Sequence, residues 1–338
     1  MIKNLYLIIL IIALAGAMSC HRTARETASQ KDSLNIEKLS SMIRNDPKNA
    51  ENFFRRGKLY YEMRQSADAV KDLEIAIKLD SLVPEYYLTL SEYFLSMGKS
   101  GSTKQYLEKC VRLFPENTEA LIKLADIYLY IKDYKTSMDY LIIAQEIDKQ
   151  IAQIYFTKAM IYKETGDTSR AIDNLLTSVE KQPDYYDAYI ELGHLNLLRN
   201  DSIAVEFLKN AIRIMPQSAE AYYFTGIYYQ QNSQFRKAIE YFDQIINEID
   251  KSYPYAYYNI GYINLVYFKQ YDTAIDYFSK AIENKTNYYQ AFCNRGYAYE
   301  MLKQYDMASA NYKQSLELLP NYDLAIAGLN RLDNKRTR

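Results

Sequence analysis

Eight small residues recur along the chain at intervals of 33 to 35 residues: Gly57, Ser91, Ala125, Ala159, Gly193, Gly226, Gly261 and Gly296. No other feature constrains the fold as strongly. A repeat of this length stacks copies of one supersecondary unit instead of enclosing a single core. Within the intervals, apolar residues fall at helical spacing. Across residues 219–250, Tyr222, Thr225, Gly226 and Tyr229 share one stripe, and Ala238, Phe242 and Ile245 share another. That pattern predicts two short amphipathic helices joined by a tight polar turn. Gly226 falls mid-helix, where glycine costs about 1 kcal/mol against alanine, which suits a place that another helix must approach closely. The seven prolines (Pro47, Pro84, Pro115, Pro183, Pro216, Pro254 and Pro320) fall at unit junctions. None lies in a helix interior, where it would cost about 3 kcal/mol.

An aromatic residue, a small residue and a tyrosine on the first helix, Ala and Phe or Leu on the second, and a closing proline make up the pattern. At its 34-residue period it resembles the tetratricopeptide repeat (TPR). The resemblance covers residues 50–322 closely and 34–332 with caps. It implies an all-α fold, a right-handed superhelical solenoid of about eight helix-turn-helix repeats. The units expected are 50–83, 84–117, 118–151, 152–185, 186–218, 219–253, 254–288 and 289–322. Residues 34–49 read as a half-repeat that caps the first unit. A helix over 323–332 reads as the cap of the last one, because a terminal repeat otherwise exposes its stacking face. The stretch 323–338 ends in a basic tail, Lys335, Arg336 and Arg338.

Residues 1–19 carry Lys3, an apolar run from Leu5 to Leu14 and then small residues. The run is too short for the roughly 20 residues that span a bilayer and reads as a secretory signal. The ending Ala17-Met18-Ser19-Cys20 resembles a bacterial lipobox, which implies lipidation at Cys20. Residues 20–33 read as a polar tether. His21 after the cysteine, in place of aspartate, is the pattern of outer-membrane sorting. No acidic export-like run follows it, so the expected location is the cell envelope, at the outer membrane facing the periplasm, with the cell surface as the alternative.

Net charge is −1, so no overall basic balance points to nucleic acid. The two histidines, His21 and His194, have no metal-ligand partner at helical spacing. Neither a CxxC nor an HExxH motif occurs, and the glycines follow the repeat rather than a phosphate loop. No cofactor, metal or enzymatic activity is expected. Cys110 reads as a small core residue and Cys293 as a groove-side residue of a first helix.

What remains is binding. In the TPR family, positions two, five, nine and twelve of the first helices line a concave groove. Carried over, these positions in the C-terminal half include His194, Tyr223, Ile227, Gln230, Tyr255, Tyr258, Tyr262, Leu265, Tyr297 and Glu300. With 36 tyrosines and no tryptophan in the chain, this wall is aromatic and largely uncharged, a chemistry common at interfaces. The N-terminal wall carries five acids (Glu51, Glu85, Glu92, Glu119 and Asp126) against one lysine, Lys58. The Lys/Asn/Asn/Lys/Arg clamp of chaperone-binding TPRs is absent. Asn259 and Asn294 fit its asparagine positions, but Tyr223 and Tyr258 stand where it needs lysine. The chain therefore resembles a membrane-anchored, non-enzymatic TPR adaptor that binds protein partners. The alternative is a glycan-binding TPR lipoprotein that uses the groove tyrosines.

Overall fold

The computed structural model describes residues 35–336. The signal, Cys20, His21 and the tether lie outside the described residues, as do the tail side chains of 335–338. Among the described residues every regular element is helical. A first helix, α1, covers 35–45. Seventeen more follow: α2 (Ala50–Glu62), α3 (Ser66–Leu79), α4 (Pro84–Ser96), α5 (Ser100–Leu113), α6 (Thr118–Tyr130), α7 (Tyr134–Ile147), α8 (Ala152–Glu164), α9 (Thr168–Lys181), α10 (Tyr186–Leu198), α11 (Ala204–Ile214), α12 (Ala219–Gln231), α13 (Phe235–Gln244), α14 (Pro254–Ile263), α15 (Tyr271–Asn284), α16 (Tyr289–Met301), α17 (Tyr305–Leu318) and α18 (Asp323–Arg336). The described residues form two compact bodies, one up to Ile161 and one from Tyr162 on, that divide within α8. Pro84 and Pro254 each open a helix, where the missing N–H is not needed.

The same three positions of each second helix make the core. In the first body they are Ala69, Leu73 and Ala76 on α3, Thr103, Leu107 and Cys110 on α5, and Ser137, Leu141 and Ala144 on α7, all buried. In the second body α13 contributes Ala238 and Phe242, α15 Ala274, Phe278 and Ala281, and α17 Ala308, Tyr312 and Ser315. Spacings of four and three keep each trio on one stripe. Buried hydroxyls are satisfied across the pair: Ser137 donates to the Ala125 carbonyl at 2.8 Å and Ser315 to that of Tyr289 at 2.9 Å. The small residue of the first helix lets the second helix approach. A Cβ at Gly226 would stand 2.5 Å from the Phe242 ring.

Each intra-repeat turn reverses through one left-handed residue. These are Arg64, Gly98, Lys132, Gly166, Asn200, Ser233, Lys269 and Lys303, with φ between 53° and 84°. Only two are glycine. The following N–H reaches back into the last helical turn, as Asp133 N to Tyr128 O at 2.9 Å and Gln304 N to Tyr299 O at 2.9 Å. This is the Schellman closure, and it satisfies carbonyls that the helix end orphans.

The intervals Gly226–Gly261 and Gly261–Gly296 are each 35 residues. In both, the extra residue is taken up inside a helix rather than in a loop. A π-helical turn, Ile245–Ile249, closes α13, and another, Asn264–Phe268, closes α14. A π-turn holds one more residue than an α-turn, so the stacking register survives the insertion. At the C-terminus, α18 runs four residues beyond the expected Leu332, since no glycine or proline stops it.

Candidate partner-binding groove

In the second body the first helices α10, α12, α14 and α16 present equivalent positions in rows. The row nearest the helix N-termini reads Asp187, Glu220, Tyr255 and Gln290, and the next reads Ile190, Tyr223, Tyr258 and Cys293. From α12 onward tyrosine rings form a continuous chain. Tyr223 lies 5.7 Å from Tyr253 and 6.2 Å from Tyr255, centroid to centroid. Tyr255 is 5.7 Å from Tyr288, which stacks on Tyr258 at 4.9 Å. Tyr258 leads on to Tyr262 at 6.4 Å, and Tyr262 to Tyr267 at 6.2 Å. Most of these pairs are tilted or edge-on, the arrangement ring quadrupoles favour. The Lys285 ammonium sits 4.7 Å over Tyr255 and 4.8 Å over Tyr288, and it donates to the Tyr255 hydroxyl at 3.0 Å. Burial pushes the Tyr258 and Tyr288 hydroxyls up, and that of Tyr253 up to about 12. All three remain neutral hydrogen-bonding groups at ordinary pH.

The expected site residues divide by exposure. Tyr255 and Tyr297 are open, at 39% and 38% exposure, and the Arg331 guanidinium lies 5.6 Å over the Tyr297 ring. His194, Tyr223, Ile227, Tyr258 and Tyr262 are half-buried. His194 stacks on Phe224 at 4.8 Å. Gln230 is half-buried too, and its Oε1 is enclosed without a hydrogen-bond partner. Two residues do not belong to the wall. Leu265 is 2% exposed, because the π-turn swings it into the core against Ala274 and Phe278. Glu300 is also 2% exposed, covered by α18, where it holds Arg331 and the Tyr312 hydroxyl. Cys293 is likewise not on the groove. It is 3% exposed in a cluster with Tyr312 and with Ala325 and Leu332 of α18. Cys110 is fully buried. Both thiols are unpaired, and burial pushes them up to about 11.

The two clamp-like asparagines are already used. Asn294 donates to the Tyr258 hydroxyl at 2.9 Å, and Asn259 donates to Tyr223 at 3.4 Å and to the Tyr255 carbonyl at 2.8 Å. Each tyrosine is thus tied to the next repeat by the amide that a carboxylate clamp would leave free.

Tyr253, Tyr288 and Lys285 escaped a reading based on helix positions, since they lie just outside the helices. A signal existed. Tyr253 and Tyr288 are 35 residues apart at the N-cap, where Asn49, Asn117 and Ser218 accept a backbone N–H in other repeats. The two tyrosines accept none. Giving up such a cap costs about 1 kcal/mol, and local departures of this kind concentrate at functional surfaces.

The N-terminal acids are less free than their number suggests. Lys123 bonds Glu92 at 2.8 Å and lies 3.6 Å from Glu119, and Lys58 lies 3.8 Å from Glu85. Tyr86 donates to Glu51 at 3.4 Å and Thr157 to Asp126 at 2.8 Å. Each acid in that wall has a partner, with Lys123 shared between Glu92 and Glu119. Among the described residues no group of three or more His, Cys, Asp or Glu side chains is placed to hold a metal.

One tetratricopeptide repeat model matches residues 84–117, 152–185 and 254–288, and a second model of the same repeat matches 289–322. The chain carries tetratricopeptide repeats. Solved structures agree on the all-α TPR solenoid. One is the APC/C hetero-tetramer Cut9–Hcn1, with TM-score 0.55 and 18% identity, covering 88% of this chain and 58% of that one. Another is a tetratricopeptide repeat protein from Parabacteroides merdae, with TM-score 0.52 and 16% identity, covering 74% and 98%. At these identities the likeness is one of fold. Among curated proteins, the chain is 22% identical over 186 residues to a BBSome complex member BBS4 homolog of Drosophila melanogaster, covering 54% of this chain and 38% of that protein. It is 22% identical over 211 residues to the human mitochondrial import receptor subunit TOM70, covering 59% and 34%. The chain thus spans between a third and two fifths of the length of these two relatives. TPR arrays are protein-interaction modules, and the fold by itself specifies no partner.

Proposed function

We propose that this protein is a non-enzymatic adaptor that holds a protein partner in the groove of residues 162–338. Lipid on Cys20 anchors it in a bacterial envelope, at the outer membrane facing the periplasm. The observation that carries the binding reading is the continuous ring chain from Tyr223 to Tyr288, with Tyr255 and Tyr297 open to solvent. Tyrosine supplies broad contact area with little conformational entropy to lose, and its hydroxyl tolerates water until a partner arrives. The anchoring reading rests on the sequence ending Ala17-Met18-Ser19-Cys20. Each buried CH₂ of an acyl chain contributes about 0.8 kcal/mol to membrane binding.

Crosslinked pull-downs from envelope membranes test the first part, comparing wild type with a Tyr255→Ala/Tyr297→Ala variant. Both rings are exposed, so the fold should survive their loss. Partners captured by wild type and depleted in the variant support the reading; identical capture by both moves the site elsewhere. Cys20→Ser tests the second part and should move the protein to the soluble fraction. Unchanged membrane retention would overturn the anchor.

A further inference from the structure

The groove has a charged end that the aromatic wall does not account for. Asp187 and Glu191 lie four residues apart on one face of α10, and Glu220 occupies the row position of Asp187 on the next first helix, α12. Like charges four apart on a helix repel. The lysine in reach, Lys163, is committed to Glu191, with Nζ–Oε distances of 2.6 and 2.8 Å. Among the described residues neither Asp187 nor Glu220 has a hydrogen-bond or ion-pair partner, and both are exposed. This contrasts with the N-terminal wall, where every acid is matched. Partial desolvation of the Glu220 carboxyl, and then the charges of Glu191 and Asp187, hold it above its ordinary range against the opposite pull of His194 and Lys163, so these groups share one field. Glu220 also acts on the hydroxyl of Tyr253, which packs on Tyr223 and Tyr255. Glu220 and Tyr223 stand three residues apart on α12, on one face, so the acids run on into the rings.

We infer that this surface takes an extended protein segment in which a basic side chain lies beside large apolar or aromatic ones. The cation sits over Asp187, Glu191 and Glu220, and the apolar side chains lie on Tyr223, Tyr253 and Tyr255. Charge complementarity selects the sign, because three carboxylates face one committed lysine. Arginine fits better than lysine. Its planar guanidinium bonds a carboxylate through two N–H groups and stacks on a tyrosine face at once. Lys285, farther along the ring chain over Tyr255 and Tyr288, sets a direction. A cation there meets a like charge, so the basic residue belongs at the α10–α12 end. This inference rests on the adaptor reading and adds the chemistry of the partner to it.

The test is selection of a random dodecapeptide phage library on the full chain, followed by affinity measurement on the selected peptides. Enriched peptides should carry Arg or Lys next to Tyr, Phe, Leu or Met. Asp187→Asn with Glu220→Gln should weaken them about tenfold and flatten their salt dependence. Tyr255→Ala should weaken them without changing the salt slope. Replacing the selected Arg by Lys should weaken binding, and replacing it by Glu should abolish it. Circular dichroism confirms that these surface variants fold. Enrichment of neutral or acidic peptides, or binding indifferent to the Asp187/Glu220 pair, overturns the inference and leaves the adaptor reading standing. Failure to enrich any peptide over a blank surface overturns both.

Discussion

Replacing Arg331 by alanine should release the helix that closes the repeat array. Glu300, near the end of α16, is 2% exposed. Its carboxylate accepts from Arg331 Nη2 at 2.9 Å and from Nε at 3.2 and 3.3 Å, and from the Tyr312 hydroxyl at 2.8 Å. Arg331 comes from α18, Glu300 from α16 and Tyr312 from α17, so one buried anion ties three helices. Removing one partner of a fully buried pair costs roughly 3–5 kcal/mol. The Arg331 side chain is 44% exposed, so water reaches the vacated side and offsets part of that, leaving an expected cost of about 2 kcal/mol. A second change, Glu300→Gln, should then recover about half. A neutral amide still accepts from Tyr312 and loses far less on burial than a carboxylate. The assay is urea unfolding followed by far-UV circular dichroism, with hydrogen exchange read at the amides of 323–334. In Arg331→Ala those amides should exchange faster, ahead of the amides of α12 and α14. A loss below about 0.5 kcal/mol, or a double variant no more stable than Arg331→Ala alone, would refute the buried-anion argument.

Lys132→Gly should stabilise the protein by about 0.5–1 kcal/mol, because Lys132 holds φ at 63°, a conformation that strains a residue with a Cβ; thermal melts check it, and no gain would show that the turn is strain-free. Lys158 is 8% exposed with its ammonium bonded to a neutral partner, Gln145, and burial lowers its pKa. Its charge therefore opposes folding at neutral pH, and Lys158→Met should stabilise by about 1 kcal/mol, with the gain over wild type shrinking as pH approaches the free-lysine value of about 10.4. Tyr86, Tyr93, Tyr106, Tyr128 and Tyr253 are pushed up to about 12, chiefly by burial. Their neutral forms favour the folded state, so their contribution is complete below about pH 10 and is lost as pH rises through about 12. Phenolate absorbance should lag free tyrosine and rise together with the loss of helix signal; a titration like that of free tyrosine in the still-helical protein would contradict this.

Much of the architecture is legible in the sequence, because an interval of 33 to 35 residues between small residues specifies a stacked helix pair before any contact is known. The apolar stripes identify which face of each helix is buried, since a helix carries its own 3.6-residue period. The trios such as Ala238, Phe242 and Ile245 follow from that alone, as does the placing of Cys110 in the core. The groove was harder to read, and its errors have a common cause. Leu265 and Glu300 occupy nominal groove positions, but a π-turn rotates one inward and α18 covers the other. Cys293 is buried by the same cap. Helix position predicts a face, not what arrives to cover it.

The charges divide in the same way. Counting residues makes the N-terminal wall the acidic one. In the structure its acids are partnered by Lys58, Lys123, Tyr86 and Thr157, each on a different helix of the repeat stack from an acid 27 to 35 residues away. The unmatched carboxylates, Asp187 and Glu220, lie in the other body. The left-handed turn residues show a milder form of this. Gly98 and Gly166 mark their own turns, but Arg64, Lys132, Asn200, Ser233, Lys269 and Lys303 adopt the same conformation without glycine, because the helix pair they join holds them there. Sequence by itself determined the repeat, its helices and their buried stripes, all consequences of local periodicity. Tertiary structure decided which tyrosines remain open, which acids find partners and which glutamate closes the array, since each depends on side chains that only stacking brings together.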